Sequence, residues 1–260
     1  MTVKTPTSIP RADGEPLLAA LADAPGDWAL FLDIDGTLLD LAERPEDVRV
    51  PPGLIDTLER LRTRMGGALA LVTGRQVAFV DQLFDPARFA VAGLHGAERR
   101  GADGVFTPSD NPPALDDVRA DLAAVPTDLP GVLYEDKGGA LALHYRQAPG
   151  TAATVAALME KQLDRIGQGW ELLHGKMVVE LRPASKDKGR AIRAFLDSSP
   201  FTGRRPLTIG DDVTDEAMFA VANGLGGVSI RITEQEQPSS AQATLRSPER
   251  LRQILEEIAS

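Results

Sequence analysis

The sequence predicts an α/β protein: a parallel-sheet core interrupted by an inserted α+β unit of two helices and an antiparallel sheet. Three observations carry this. Short apolar runs at 29–32, 68–72, 206–209 and 228–232 alternate with stretches of helical periodicity, the pattern of a parallel sheet covered on both faces. Three of the runs end in polar clusters, at Asp33, Thr73 and Asp211, and in such sheets a site forms beyond the carboxyl ends of the strands. Between about Pro108 and Pro183 the pattern changes to two helical stretches and four alternating strands with glycine links, which is α+β. The expected organisation is a core of residues 1–107 and 184–260, with 108–183 inserted as a cap over the sheet ends.

Composition narrows the partners. With 260 residues there is core enough for one large domain or two modest ones. A net charge of -10 with no visible basic patch argues against nucleic acid. An anionic substrate would then need a few placed Arg and Lys, or a divalent metal, to overcome the global field. The absence of cysteine removes disulfides, a thiol nucleophile and a thiolate metal site. Residues 1–16 lack an apolar h-region, and no run approaches the roughly 20 apolar residues of a membrane helix, so a cytoplasmic protein without a membrane partner is expected. A monomer is expected.

Taken in order, residues 2–14 are polar and proline-bearing and read as a loose arm, and 15–21 as a short helix. The run 29–32 is long enough for a buried strand and too short for a helix. Asp33 and Asp35 follow it, and at i and i+2 they would project side by side, repelling each other unless a cation or a proton intervenes. The charged, proline-rich stretch 42–52 reads as a loop. Helices are predicted over 53–64 (Leu54, Ile55, Leu58, Leu61) and 76–84 (Val77, Val80, Leu83, Phe84), with strands at 68–72 and 89–92. In the insert, 114–125 and 151–166 read as helices, and 131–137, 140–146, 170–174 and 176–182 as strands. Gly138-Gly139 and Gly175 would form the hairpin links. A helix begins near Lys188, where a cation in the first turn opposes the helix dipole and Gly189 weakens the helix; local rules broken together often mark a site. Ser247 and Pro248 read as N-cap and first residue of a last helix with Leu251, Ile254, Leu255 and Ile258 inward.

The ordered set D-I-D-G-T-L at 33–38, Thr73-Gly74-Arg75, Lys188-Gly189 and G-D-D-V-T-D-E at 210–216 resembles the four motifs of the haloacid dehalogenase (HAD) superfamily of phosphotransferases, over residues 28 to about 227. That resemblance implies a HAD-like Rossmannoid core and an aspartyl-phosphate mechanism. Asp33 would attack phosphorus, and Asp35 would protonate the leaving oxygen and then activate water. Thr73 and Lys188 would hold the phosphoryl oxygens. Oxygen-only ligands point to Mg²⁺ rather than zinc, and by resemblance these are the Asp33 carboxylate, the Asp35 carbonyl and Asp211. Asp212 and Asp215 would orient Lys188 or metal-bound water.

A closer resemblance lies in the wording of G-L-H-G-A-E at 93–98, Y-E-D-K at 134–137, H-Y-R at 144–146 and G-K-M-V-V-E-L-R-P at 175–183, together with the 210–216 motif. These are similar to the trehalose-6-phosphate phosphatase family, which implies hydrolysis of trehalose 6-phosphate to trehalose and phosphate. The resemblance puts sugar contacts at Glu135, Lys137, Arg146, Lys176 and Glu180, and substrate-side roles at Arg75 and His95. One departure is the run Lys186-Asp187-Lys188, which offers two lysines; Lys188 is chosen because Gly189 follows it.

Plainer readings stand beside these. The D-x-D-G can be a turn after a strand, Thr73-Gly74 a strand-end turn, and the acids of 211–216 a helix cap. His95 can be structural, and the charged face of the insert can be simply solvated. Rival readings are a sucrose-phosphate or mannosyl-phosphoglycerate phosphatase, a phosphomannomutase, or a catalytically silent sugar-phosphate-binding module. A silent module would be expected to lack Asp33, Asp35 or Lys188, and all three are present.

Overall fold

The structure, a computed structural model, describes residues 12–42, 47–110, 112–235 and 237–260. The expected arm over 2–14 and loop over 42–52 fall partly outside these residues, at 2–11 and 43–46. The chain divides into two compact units: the residues up to Phe106 together with Lys188–Ser260, and Thr107–Asp187.

In chain order the strands are β1 (Ala12–Asp13), β2 (Trp28–Leu32), β3 (Leu69–Val72), β4 (Ala90–Gly93), β5 (Glu98–Arg100), β6 (Phe106–Thr107), β7 (Leu133–Asp136), β8 (Leu141–His144), β9 (Trp170–Gly175), β10 (Val178–Pro183), β11 (Arg205–Gly210), β12 (Val228–Ile232) and β13 (Ala243–Leu245). The helices are α1 (Glu15–Asp23), α2 (Leu54–Arg64), α3 (Val77–Leu83), α4 (Ala114–Asp128), α5 (Ala152–Ile166), α6 (Lys188–Leu196), α7 (Glu216–Gly224) and α8 (Pro248–Ala259). None is long and apolar enough to cross a membrane.

The first unit is built on a nine-stranded sheet in the order β1-β13-β12-β11-β2-β3-β4-β5-β6. From β1 through β4 neighbouring strands are parallel, and β5 turns antiparallel against β4. Strand β2 is buried along its whole length and lies between β3 and β11. From β2 the chain builds outward through β3 and β4, then returns to β2's other side as β11. The carboxyl end of β2 is therefore the switch point at which a crevice opens. Alternation along β2 supplies both faces: Leu30 and Leu32 join a core with α1, α2, α3 and α8, while Ala29 and Phe31 join one with α6 and α7. The rings of Phe31, Phe195 and Phe201 meet in that second core at centroid distances of 5.1–6.1 Å.

The second unit is a four-stranded antiparallel sheet, β7-β8-β10-β9, with α4 and α5 on one face. Tyr134, Leu141, Leu143, Val179 and Leu181 pack against Leu115, Val118, Leu122, Val155 and Met159, so the apolar face anticipated from alternation is the one the helices cover.

Several boundaries differ from expectation. Helix α4 runs through Pro126 to Asp128, because Val125 and Leu129 on either side of it still pack on the core and the Leu129 N–H still reaches the Val125 carbonyl. Strand β8 ends at His144, leaving Arg146 exposed in the turn beyond it. The β9–β10 hairpin turns at Lys176 and Met177, not at Gly175. Gly175 still pairs with Val178, and a Cβ there would lie 2.8 Å from the Val178 side chain, so glycine serves close approach while Met177 takes the positive φ of 66°. Lys176 is thus an exposed turn residue and not part of a strand face. Strands β1, β5, β6 and β13 are two or three residues long, too short to show a period.

Candidate active site

Strand β2 stops at Leu32, and the chain then turns tightly: the Ile34 carbonyl accepts from Thr37, Leu38 and Leu39. Asp33 and Asp35 consequently do not stand side by side on a strand. Asp33 is buried, with its N–H on the Ile209 carbonyl of β11. Asp35 turns away to Arg75. Gly36, at φ 77°, lets the loop lie against the next motif, since a Cβ there would overlap the Asp211 carboxylate.

Lys188, in the first turn of α6, is the hub. Its ammonium donates to Asp33 Oδ1 at 2.6 Å and to Asp215 Oδ1 at 2.7 Å, with all three residues buried. This explains the cation at a helix start: two carboxylates at close range outweigh an unfavourable dipole worth about 1 kcal/mol or less. Asp215 has a second task, accepting from the N–H groups of Asp211 and Asp212 at 2.9 and 3.0 Å. Gly210 is needed for this, because a Cβ there would overlap Asp215. Asp212 does not reach Lys188; it is exposed and its carboxylate accepts from the Val213 N–H, capping a short 3₁₀ turn. Lysine orientation thus falls to Asp215, and helix capping is shared between the two acids.

Carboxylate oxygens of Asp33, Asp211 and Asp215 lie within 4.8 Å of one another. Thr37, whose hydroxyl is 3.4 Å from both Asp33 and Asp211, is a bridging residue that sequence reasoning quoted in its motif without assigning a role. Burial pushes the Asp33 carboxyl well above the usual range; Lys188 pulls against it, and Asp215 and Asp211 add to it. Burial, then the Asp215 charge, lifts Asp211 to about 7. Burial also works against the Lys188 ammonium, but Asp215 and Asp33 outweigh it and hold its pKa above the ordinary lysine value. With all three carboxyls deprotonated, one ammonium would leave two negative charges in excess, which is why protons stay on the cluster until a cation takes their place. An all-oxygen donor set, buried at Asp33 and Asp215 and half-buried at Asp211, with that potential surplus suits a hard divalent cation such as Mg²⁺.

Thr73 follows β3, buried beside β2, and its hydroxyl accepts from the Arg75 N–H at 3.2 Å. Arg75 grips Asp35 with two nitrogens, at 2.6 and 2.7 Å, and lies 4.4 Å from the Phe79 ring centroid. Its position is explained by this pair, which spacing alone did not suggest. Leu94 and His95 both have positive φ, 50° and 54°, uncommon for residues with a Cβ. They are pinned there: Leu94 N–H donates to the Arg75 carbonyl and His95 N–H to the Thr73 carbonyl, at 3.0 and 2.9 Å. The buried His95 ring lies so near Gly74 that a Cβ would be 2.8 Å from Nε2. His95 therefore backs the Thr73–Arg75 turn.

In the second unit, the polar face of the sheet carries a linked set. Glu135 pairs across to Ala142, and Ala142 to Glu180. The small alanine leaves room for Lys137 to reach Glu180 at 2.5 Å and Glu135 at 3.9 Å, and His144 Nε2 is 2.8 Å from Glu135. Glu180 is buried. Arg146 and Lys176 are exposed in the turns described above.

Comparison with known proteins bears on this arrangement. A family model described as Trehalose-phosphatase matches residues 31–249. A probable trehalose-phosphate phosphatase of Sinorhizobium fredii is 52% identical over 246 residues, covering 95% of this chain and 93% of its own. The C-terminal domain of Candida albicans trehalose-6-phosphate phosphatase superposes with a TM-score of 0.83 at 21% identity, over 97% of this chain and 99% of that one. A Bacteroides thetaiotaomicron protein of the haloalkanoate (HAD) phosphatase superfamily superposes with a TM-score of 0.59 at 18% identity, over 88% and 94%. The fold is HAD-like.

Proposed function

This chain belongs to the trehalose-phosphatase family, and we propose that it hydrolyses trehalose 6-phosphate to trehalose and phosphate through an aspartyl-phosphate on Asp33. The observation that carries the reading is the buried contact of Asp33 with Lys188 at 2.6 Å, with Asp211 and Asp215 gathered around it at the switch point of the sheet. Phosphoryl transfer needs charge neutralisation and in-line positioning more than bond-making help. Asp33 is the nucleophile, its oxygen held by the Lys188 ammonium. Asp35 gives a proton to the leaving sugar oxygen, then takes one from the attacking water. Lys188 and Thr73 hold phosphoryl oxygens. Asp33, Asp211 and the Asp35 carbonyl would hold Mg²⁺, which when bound offsets the repulsion between the carboxylates and the phosphate dianion.

Sugar recognition is proposed for the second unit, through Glu135, Lys137, Arg146, Lys176 and Glu180, acids and bases suited to hydroxyl groups. A cytoplasmic site of action is part of the proposal, since a phosphate dianion does not cross a bilayer unaided. The test is phosphate release from a panel of sugar phosphates, with Mg²⁺ or with excess chelator, beside folded Asp33→Asn. Selective release from trehalose 6-phosphate that needs both metal and Asp33 is expected. Undiminished turnover in chelator or in folded Asp33→Asn would refute the mechanism.

A further inference from the structure

Glu216 closes the acidic motif yet takes no part in the three-carboxylate group. Its partner is Arg231, an arginine buried within the otherwise apolar and small residues of β12. A buried guanidinium must place five N–H donors. Here Nε donates to the main-chain carbonyl of Asp211 at 3.1 Å, and Nη1 to Glu216 at 3.2 Å and to the Pro238 carbonyl at 3.4 Å. The other oxygen of Glu216 accepts from the N–H and the hydroxyl of Ser240, both at 2.6 Å. Asp211 is therefore fixed on both sides of its Cα: its N–H by Asp215 at 2.9 Å, its carbonyl by Arg231. With both peptide groups tied, the direction in which its carboxylate leaves the chain is set before any ligand arrives. Leucine or valine would fill a buried strand position without needing such a set of acceptors, so the arginine is explained by what it holds.

We propose that Arg231, itself held by Glu216, is a positioning residue for Asp211 and sets the affinity of the site for its divalent cation. The proposal rests on Asp211 being a metal ligand. Residues that orient ligands in this way typically change metal affinity about 10–100-fold when replaced. The experiment is calorimetric titration of the metal-free full chain with Mg²⁺, for the native protein and for Arg231→Met, Glu216→Gln and Asp211→Asn, with a thermal melt of each. Arg231→Met is expected to weaken Mg²⁺ binding about 10–100-fold, and Glu216→Gln to weaken it in the same direction by less. A folded Arg231→Met that melts lower but binds Mg²⁺ with native affinity would make the residue purely structural and overturn the proposal. Should Arg231→Met not fold, native affinity in folded Glu216→Gln overturns it equally. Native affinity in Asp211→Asn would instead refute the metal-ligand reading beneath it.

Discussion

Arg75 clasps Asp35 through both carboxylate oxygens, at 2.6 and 2.7 Å, although 40 residues separate them in the chain. A bidentate pair of this kind fixes direction as well as distance. The clasp makes Arg75 a partner of the proposed acid and base, and it couples the two side chains energetically. Asp35→Asn is expected to slow turnover of trehalose 6-phosphate by about 10²–10⁴. The first step with an aryl phosphate, whose leaving group needs little protonation, should suffer less. Arg75→Met in the Asp35→Asn background should add little, because residues in one network are non-additive. Rapid-quench burst amplitudes and steady-state rates of the single and double variants check this, and fully additive losses would count against it.

Lys188 is the sole cation in contact with Asp33 and Asp215 among the described residues. Removing one partner of a buried ion pair typically costs about 3–5 kcal/mol. Lys188→Met should therefore be destabilised by about that amount in chelator near neutral pH, and by less near pH 5, where Asp33, held well above the ordinary carboxyl range by burial, takes up a proton. Urea unfolding at the two pH values measures the difference.

Asp211 carries a pKa of about 7 in the metal-free fold against an ordinary 3.8. The folded protein thus keeps a proton that the unfolded chain releases. This contribution favours the fold at low pH and is lost as pH rises from about 4 to 7. Bound metal replaces that proton, so the gain in Tm on adding Mg²⁺ should grow between pH 5 and pH 8. Melts across that range, in chelator and in Mg²⁺, decide it; a gain independent of pH would exclude a proton-competing Asp211.

In the second unit, exposure separates two kinds of residue. Arg146 and Lys176 are exposed in turns, so replacing either with alanine should leave Tm unchanged. A hydrogen bond to a charged group is worth about 1.5–3 kcal/mol, or about 10–150-fold in a specificity ratio. A loss of that size in kcat/KM for trehalose 6-phosphate, with aryl phosphate turnover intact, is expected. Glu180 is buried and holds Lys137, so Glu180→Ala should lower Tm as well as selectivity. Equal losses on both substrates for Arg146→Ala would remove it from sugar recognition.

The sequence by itself determined the parallel core, the change of architecture near residue 108, and the four polar clusters that follow its apolar runs and open α6. Those features are local: an apolar run of four or five residues, acids directly after it, a lysine at a helix start and a two-residue period are each visible within a dozen positions. Alternation likewise separated the face of β7, β8 and β10 that packs on helices from the face that carries Glu135, His144 and Glu180. Tertiary structure alone decided which charge meets which. Asp33 finds Lys188 across 155 positions, and Lys188 also meets Asp215, which lies against Gly210 where a Cβ would overlap it. Arg75 goes to Asp35 and Arg231 to Glu216 because β2, β3, β11 and β12 lie side by side, an order the chain reaches only by leaving β2 in one direction and returning to it from the other. Coulomb and hydrogen-bond energies depend on distance in space, and distance in space is set by strand order and by where a missing Cβ permits contact.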